Sequence, residues 1–273
     1  MSIKITNTNV AANSAKVLVY GPAGIGKTVL CATLPRNIII SAEAGLMSIA
    51  DQNIDVIEIK SIKELGEAYD YINTDEMRAK YDNVSLDSIT EIAEVLLSKL
   101  KAENKDPRAA YGQLADQMTK IIRKFRDIEH YNVYFSAKMS KATDDDTGIT
   151  WHSPMMPGTT LRQGVSYFFD EVFVMRIGQT EQGTDYRYLQ TQPDYQYDAK
   201  DRSGKLKKIV KPDLSVIFKK ILRQKVEENA DKVIVEEEHE ELIEVIDNAI
   251  VDDTFEVEST DETEQGESED TGE

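Results

Sequence analysis

Short apolar runs alternate along the chain with segments of helical spacing, and this order predicts the architecture. A short apolar run is typical of a buried strand, and apolar residues three and four positions apart are typical of a helix. The pattern predicts strands at 16–20, 37–40, 55–59, 84–86, 132–137, 171–177 and 186–191. It predicts helices at 27–34, 62–72 and 88–101 and, after a break at 104–107, a further helix to about residue 129. This alternation indicates an α/β fold with a mostly parallel central sheet, and antiparallel additions are expected after about residue 165.

The distribution of charge divides the chain into two parts. The net charge is −18, but residues 226–273 hold 21 acidic residues and one lysine, so the first 225 residues carry a net charge of only +2. We therefore predict a folded domain over 1–225 and an acidic C-terminal tail over 226–273, with helical spacing at 235–250. Such a tail is either a solvating disordered segment, or it competes with nucleic acid for a basic surface or docks a partner protein.

Composition excludes several classes of protein. No apolar run approaches the roughly 18 residues of a membrane span, and the opening residues lack the apolar core of a signal peptide. The single cysteine, Cys31, rules out a disulfide framework. The three histidines are scattered, without metal-ligand spacing around Cys31. These patterns predict a cytoplasmic protein without membrane contact.

A complete phosphate-binding motif follows the first predicted strand. The segment GPAGIGKT at 21–28 matches G-x-x-x-x-G-K-[ST], and a predicted helix comes directly after it. In this motif the backbone N–H groups surround the phosphates, the lysine reaches the β- and γ-phosphates, and the threonine hydroxyl binds Mg²⁺. The sequence therefore predicts a site for ATP with Mg²⁺, formed by Gly21, Pro22, Ala23, Gly24, Ile25, Gly26, Lys27, Thr28 and Val29.

Two carboxylates are candidates for the chemistry at that loop. Asp87 ends a predicted buried strand next to the loop and is expected to be the second Mg²⁺-side ligand, although it is also in place for a helix N-cap. In many ATPases of the AAA+ class a glutamate follows this aspartate and activates water, but here Ser88 follows. We expect Glu43 to be the base, because the carboxyl ends of parallel strands share one edge. Glu91 is the alternative base. The alternative role of Glu43 is that of a surface residue that takes no part in the chemistry.

With these motifs the chain resembles the RecA superfamily over residues 14–225, and more closely the short phage nucleotide-binding proteins regarded as RecA-like single-strand annealing proteins. The matching segments are GPAGIGKT (21–28), ISAEAG (40–45), VSLDSITEI (84–92), YFSAK (134–138) and YDAKDRSGKL (197–206). The resemblance implies a RecA-like P-loop ATPase core, with Glu43 as the water-activating base. It also implies Asp87, followed by Ser88, on the metal side and Lys138 as the polar sensor residue.

The resemblance also implies DNA binding, because RecA-like proteins bind DNA through two loops. The corresponding segments are 101–112 and 139–164, and the second is expected to be a long loop with little regular structure. Cations there suit phosphates, and aromatic rings suit stacking on single-stranded bases. Trp151 has packing as its alternative role. The candidate residues are Lys105, Arg108, Tyr111, Lys141, Trp151 and Arg162.

Lys200 and Arg202 suggest assembly. RecA-like filaments and rings complete each active site with cations from the adjacent subunit, which implies a homo-oligomer; solvated surface charge and direct DNA contact are the alternatives. The implied function is DNA-stimulated ATP hydrolysis coupled to single-stranded DNA annealing or strand pairing in phage recombination. A single-strand-binding or other replication protein is a possible partner for the tail. The rivals are a motor or helicase-loader ATPase acting on a protein, and a non-hydrolysing ATP-dependent adaptor.

Overall fold

A computed structural model describes residues 14–43, 45–143 and 147–222; the tail at 226–273, with its predicted helix, lies outside these ranges. The strands are β1 (Lys16–Gly21), β2 (Asn37–Ser41), β3 (Asp55–Glu58), β4 (Asn83–Asp87), β5 (Asn132–Thr143), β6 (Thr150–Pro154), β7 (Glu171–Gln179), β8 (Asp185–Gln190), β9 (Lys200–Asp201) and β10 (Ile209–Val210). The helices are α1 (Lys27–Cys31), α2 (Ile62–Ile72), α3 (Asp75–Lys80), α4 (Ile89–Glu103), α5 (Pro107–Arg126), α6 (Thr159–Gly164) and α7 (Leu214–Leu222). Short 3₁₀ helices occupy Leu46–Gln52 and Val165–Phe168. Within the described ranges, every helix is too short or too polar to cross a bilayer.

The strands form a mostly parallel sheet, in the order β10-β8-β7-β1-β5-β4-β2-β3. The six strands β7, β1, β5, β4, β2 and β3 pair in parallel. Antiparallel pairs are added by β10 to β8, by β9 to β7 and by β6 to β5. The α/β fold and the antiparallel additions predicted from the sequence are confirmed.

Strand order adds a detail that the sequence pattern does not give. Asp87 ends β4, and β5 lies between β4 and the strand β1 that leads into the phosphate loop. The parallel register aligns Gly21 of β1 with Lys138 of β5, and Asp87 of β4 with Ser41 of β2. The carboxyl ends of these four strands therefore meet at one edge of the sheet, although the two motif-bearing strands are not neighbours.

Both faces of the sheet are buried, which explains why its strands are continuous apolar runs. One face packs on α2, α4 and α5 through residues such as Leu18, Ile40 and Phe135. The other packs on α1 and α7 through Val19 and Phe173. With both faces covered, the carboxyl edge of the parallel strands is where polar groups can meet a ligand.

Three parts of the chain differ from the sequence prediction. Helix α1 is shorter than 27–34, because Ala32 and Thr33 donate to carbonyls three residues back, at 3.0 and 3.2 Å, and tighten the chain before Pro35. The segment 139–164, expected to be an irregular loop, continues β5, forms β6 and ends in α6. Helix α7 was not predicted. Apart from buried Pro154, the β5–β6 extension is half-buried or exposed, so it lacks the apolar periodicity that marks a strand.

Residues 179–184 lead from the end of β7 to β8. Within this segment the Thr180 N–H donates to the Thr184 carbonyl at 2.9 Å, and the Gly183 N–H donates to the Thr180 carbonyl at 2.8 Å. These bonds define a tight turn.

Glu171, the first residue of β7, is a carboxyl group buried at the amino edge of the sheet. Its side chain accepts the Ser203 N–H at 3.1 Å through Oε1, while Oε2 has no hydrogen-bond partner among the described residues. Burial, followed by the charge of nearby Asp201, raises the pKa of Glu171 to about 8. The folded protein therefore holds this carboxyl group neutral at pH values where an unfolded chain ionises it.

This position gives a pH-dependent prediction. A folded-state pKa above the unfolded value adds stability that is complete at low pH and is lost as the pH rises to about 8. Wild type is therefore expected to lose unfolding free energy between about pH 5 and pH 8 relative to Glu171→Gln. The loss should reach a few kcal/mol, since one pKa unit corresponds to about 1.4 kcal/mol. The comparison cancels other titrating groups, such as Lys16, whose pKa burial lowers to about 7. Urea unfolding at several pH values measures it, and parallel curves for the two proteins would contradict it.

Candidate nucleotide-binding site

The phosphate loop connects β1 to α1 and depends on its glycines. Gly24 and Gly26 have φ values of 72° and 110°, in the left-handed region that glycine adopts without steric cost. The Ile25 side chain between them is buried and anchors the loop in the core beside α1. The Tyr134 hydroxyl on β5 donates to the Lys27 carbonyl at 3.0 Å, which fixes the start of α1 against the sheet. The loop is thus held from both sides in the shape that its motif requires.

The Lys27 side chain folds back over the loop. Its Nζ donates to the carbonyls of Gly21 and Pro22, at 3.0 and 2.9 Å. Burial lowers the pKa of Lys27, while the nearby carboxylates of Glu43 and Asp87 act in the opposite direction. Neutral carbonyls are weaker partners for an ammonium than anionic oxygens, so this side chain can exchange them for the oxygens of a triphosphate.

Thr28 and Asp87 bring a hydroxyl and a carboxylate together. The Thr28 Oγ1 donates to Asp87 Oδ2 at 2.6 Å, and Asp87 is 2% exposed. The other carboxylate oxygen, Oδ1, accepts a hydrogen bond from the Ser136 hydroxyl of β5. Mg²⁺ takes oxygen ligands and is commonly held by one or two carboxylates with substrate phosphates and water. This donor set fits Mg²⁺, with Thr28 and Asp87 as the residues that would hold it.

Glu43 lies at the same edge, just beyond β2. Its Oε1 accepts a hydrogen bond from the Ser88 hydroxyl at 2.5 Å, and its carbonyl accepts one from Ser41 at 2.7 Å. Its Oε2 has no partner among the described residues, so it is open to a water molecule. Ser88, which the sequence predicts as the cap of α4, therefore also orients the candidate base.

Lys138 ends the sheet part of β5, at the level of Gly21. Its ammonium contacts Glu91 and Glu94 of α4, at 2.7 and 3.1 Å. Partial burial lowers the pKa of Lys138, but these two carboxylates outweigh it and the net shift is upward. Lys138 is therefore paired with α4 in this structure, and Glu91, the alternative base, is engaged by the same ion pair.

Lys200 and Arg202 lie far from the phosphate loop of their own chain. Lys200 pairs with Val172 of β7, which lies beside Leu18 of β1, three residues before Gly21. At about 3.3 Å per residue, this register separates Lys200 from the level of Gly21 by about 10 Å along the strands. Lys200 donates to the Ser166 carbonyl and Arg202 pairs with Asp170, each at 2.8 Å. A role at a neighbouring subunit's site stays a prediction.

The two predicted DNA-binding segments contact each other. The Tyr111 ring of α5 lies 3.2 Å from the position that a Cβ on Gly158 would take, just before α6. The Lys101 ammonium lies over the same ring, 5.3 Å from its centre. Lys105 and Arg108 are exposed nearby in the chain. The structure therefore brings the first segment against the end of the second.

The β5–β6 strand pair carries two of the predicted DNA-binding residues, Lys141 and Trp151. Lys141 is opposite His152, and Ala142 is opposite Trp151, so Lys141 and Trp151 lie on opposite faces of the pair. Trp151 is 40% exposed above small side chains, whereas the His152 ring stacks on Tyr197 with centres 4.7 Å apart. The register thus separates Lys141 from Trp151, and DNA binding by either residue stays a prediction. Arg162 is exposed on α6.

The structure also places an unpredicted arginine beside the loop. A Cβ on Gly26 would lie 3.7 Å from Cδ and Nε of Arg187 on β8. No motif contains Arg187, and 161 residues separate it from Gly26 along the chain. Only the order of strands in the folded sheet brings them together.

Comparison with known proteins bears on the same residues. A family model described as an AAA domain matches residues 13–203. That span contains the phosphate loop, Glu43, Asp87 and Lys138. A search of curated proteins finds no match.

Proposed function

Because the chain belongs to the AAA domain family, we propose that it is a Mg²⁺-dependent ATPase that binds single-stranded DNA and promotes annealing or strand pairing in phage recombination. The observation that carries the ATPase part is the meeting of Lys27, Thr28, Asp87 and Glu43 at one edge of the sheet. The domain family supports nucleotide binding and ATPase activity in general. Hydrolysis by these particular residues, and DNA as the effector, are the proposal.

In the proposed reaction, the loop N–H groups and Lys27 bind the β- and γ-phosphates of ATP. Thr28 and Asp87 would hold Mg²⁺, which would supply neutralising charge on the phosphates when bound. Glu43, oriented by Ser88, accepts a proton from a water whose oxygen attacks the γ-phosphorus. The bond to the bridging oxygen breaks, and ADP and inorganic phosphate leave. The proposed proton transfer rests on the geometry of Glu43. One of its carboxylate oxygens accepts the Ser88 hydrogen bond, and the other has no partner among the described residues.

The single-stranded DNA part of the proposal rests on the continuity of β5. This strand carries Ser136, which contacts Asp87, and runs without interruption into the pair that carries Trp151. The Tyr20 hydroxyl of β1 also reaches this pair, because it donates to the Asp198 carbonyl at 2.7 Å and lies 3.1 Å from the His152 carbonyl. Tyr20 directly precedes the phosphate loop. Nucleotide binding therefore has two short routes by which it can affect the position of Trp151.

Trp151 is the only tryptophan in the chain, so its fluorescence reports on this surface alone. We expect an oligonucleotide of single-stranded thymidines to quench it in the presence of Mg²⁺ and ATP, because a base that stacks on an aromatic ring contributes about 1–3 kcal/mol. Trp151→Ala should weaken binding of the oligonucleotide by about 5- to 100-fold. Trp151→Phe, which keeps a ring, should recover most of that affinity.

The outcome separates the proposal from its rivals. Unchanged fluorescence, together with no retention of the oligonucleotide in a gel-shift assay with ATP, would remove DNA from the proposal. ATP hydrolysis that then rises with a protein partner would favour the motor or loader. ATP binding without hydrolysis would favour the adaptor.

A further inference from the structure

Arg187 is a free cation at the wall of the phosphate loop. It is exposed on β8, and its Cδ and Nε lie 3.7 Å from the position of a Cβ on Gly26. Within 14–43, 45–143 and 147–222 its guanidinium has no hydrogen-bond or ion-pair partner. Arg176 on the adjacent strand contrasts with it, since it donates to Gln190 at 2.8 Å and lies 4.1 Å from the centre of the Tyr197 ring. Arg176 is thus held by contacts within the fold, whereas Arg187 is exposed beside the phosphate loop.

Strand order indicates which end of a nucleotide Arg187 would meet. The strands β5, β4 and β2 lie on one side of β1 and carry Asp87 and, just beyond β2, Glu43. The strands β7 and β8 lie on the other side. The three phosphates of a nucleotide follow one another along a chain. If the γ-phosphate faces Glu43 and Asp87, the α-phosphate and the nucleoside therefore extend toward β7 and β8. Arg187 is on that second side.

The surroundings of Arg187 suit the sugar-proximal part of a nucleotide. The Met175 Cε would lie 3.4 Å from a Cβ on Gly26, so an apolar side chain adjoins the same glycine. Ile177, two residues further along β7 and thus on the same face, is 56% exposed. A planar guanidinium with several donors binds phosphate oxygens well, and apolar side chains beside it can cover a sugar or base.

We propose that Arg187 binds the α-phosphate of the nucleotide in its own chain, and that Ile177 covers the nucleoside. This inference rests on the proposed nucleotide site. It assigns the α-phosphate and the nucleoside to the side of the phosphate loop that faces away from Glu43. Arg187 then contributes equally to the binding of ATP and ADP, because both carry an α-phosphate. A cation directed at the γ-phosphate would contribute to ATP alone.

The test measures the affinity of the 273-residue chain for ATP and for ADP by titration calorimetry with Mg²⁺. Arg187→Ala is expected to weaken both by the same factor, about 10-fold or more, as for the loss of a charged hydrogen bond. Arg187→Lys should recover part of both affinities. Arg78→Ala removes an arginine from α3, which leads into the amino end of β4 away from the loop, and should change neither. Thermal unfolding of each variant checks that the fold is kept.

Each outcome decides the question. Equal losses for ATP and ADP, with Arg78→Ala unchanged, support the assignment. A loss confined to ATP would place the guanidinium at the γ-phosphate and overturn it, as would unchanged affinities in Arg187→Ala. A wild type that binds neither nucleotide would instead overturn the proposed function, and this inference with it.

Discussion

Glu43→Gln is expected to slow ATP hydrolysis by about 10²- to 10⁴-fold while leaving ATP affinity near that of wild type. The amide can still accept the Ser88 hydrogen bond, which is 2.5 Å long in the wild type, so the loop beyond β2 should keep its shape. It cannot take a proton from water at the open oxygen. The measurement combines nucleotide titration with the rate of phosphate release.

The control for this variant is another glutamate at the same edge. Glu58 ends β3 opposite Ser41, one strand further from the loop, and is exposed. Glu58→Gln should hydrolyse ATP at the wild-type rate. Glu91→Gln tests the alternative base: a loss of turnover there, with normal turnover in Glu43→Gln, would move the general base from β2 to α4.

Lys27→Ala is expected to weaken the binding of ATP and ADP by about 100-fold or more. Its ammonium, now on the carbonyls of Gly21 and Pro22, would make charge-assisted bonds to phosphate oxygens, each contributing about 1.5–3 kcal/mol. Titration with a fluorescent nucleotide in the presence of Mg²⁺ measures the loss. Lys63→Ala, which removes an exposed lysine of α2, is the matched control. Affinities within threefold of wild type would contradict the assignment of Lys27.

The contrast between these variants is informative. Lys27→Ala should remove binding and therefore turnover, whereas Glu43→Gln should separate the two. If both variants lost binding alike, Glu43 would be a structural support of the loop and not a base.

The local parts of this site can be predicted from the sequence because they are contiguous. The strand, loop and helix at 16–31 follow from one motif, and the position of Glu43 beyond the next buried strand follows from the shared edge of parallel strands. The capping of α4 by Ser88, which accepts the Glu91 N–H at 3.3 Å, also follows from the spacing of the two residues.

The contacts that complete the site depend on strand order and could not be predicted. Ser136 contacts Asp87 across 49 residues, and Ser88 contacts Glu43 across 45, because β5 and β2 flank β4 in the folded sheet. Arg187 meets Gly26 for the same reason. A single sequence carries no signal for such pairs, since neither residue alters the periodicity of its own element.

The β5–β6 strand pair could not be predicted from the sequence for a different reason. Beyond the sheet part of β5, its side chains other than Pro154 are half-buried or exposed, so strand formation leaves no apolar alternation in the sequence. The faces of Lys141 and Trp151 then follow only from the cross-strand register, in which Lys141 is opposite His152. The structure therefore places Trp151 and Lys141 on opposite faces of this pair.

The most direct test of the central claim is the rate of phosphate release from Mg²⁺-ATP by wild type and Glu43→Gln in parallel, with and without single-stranded oligonucleotide. Wild type should release phosphate, and the rate should rise when the oligonucleotide is added. Glu43→Gln should bind ATP and release phosphate at least about 100-fold more slowly in both conditions. Equal rates for the two proteins, or a wild type that binds ATP without releasing phosphate, would contradict an ATPase site at this edge of the sheet.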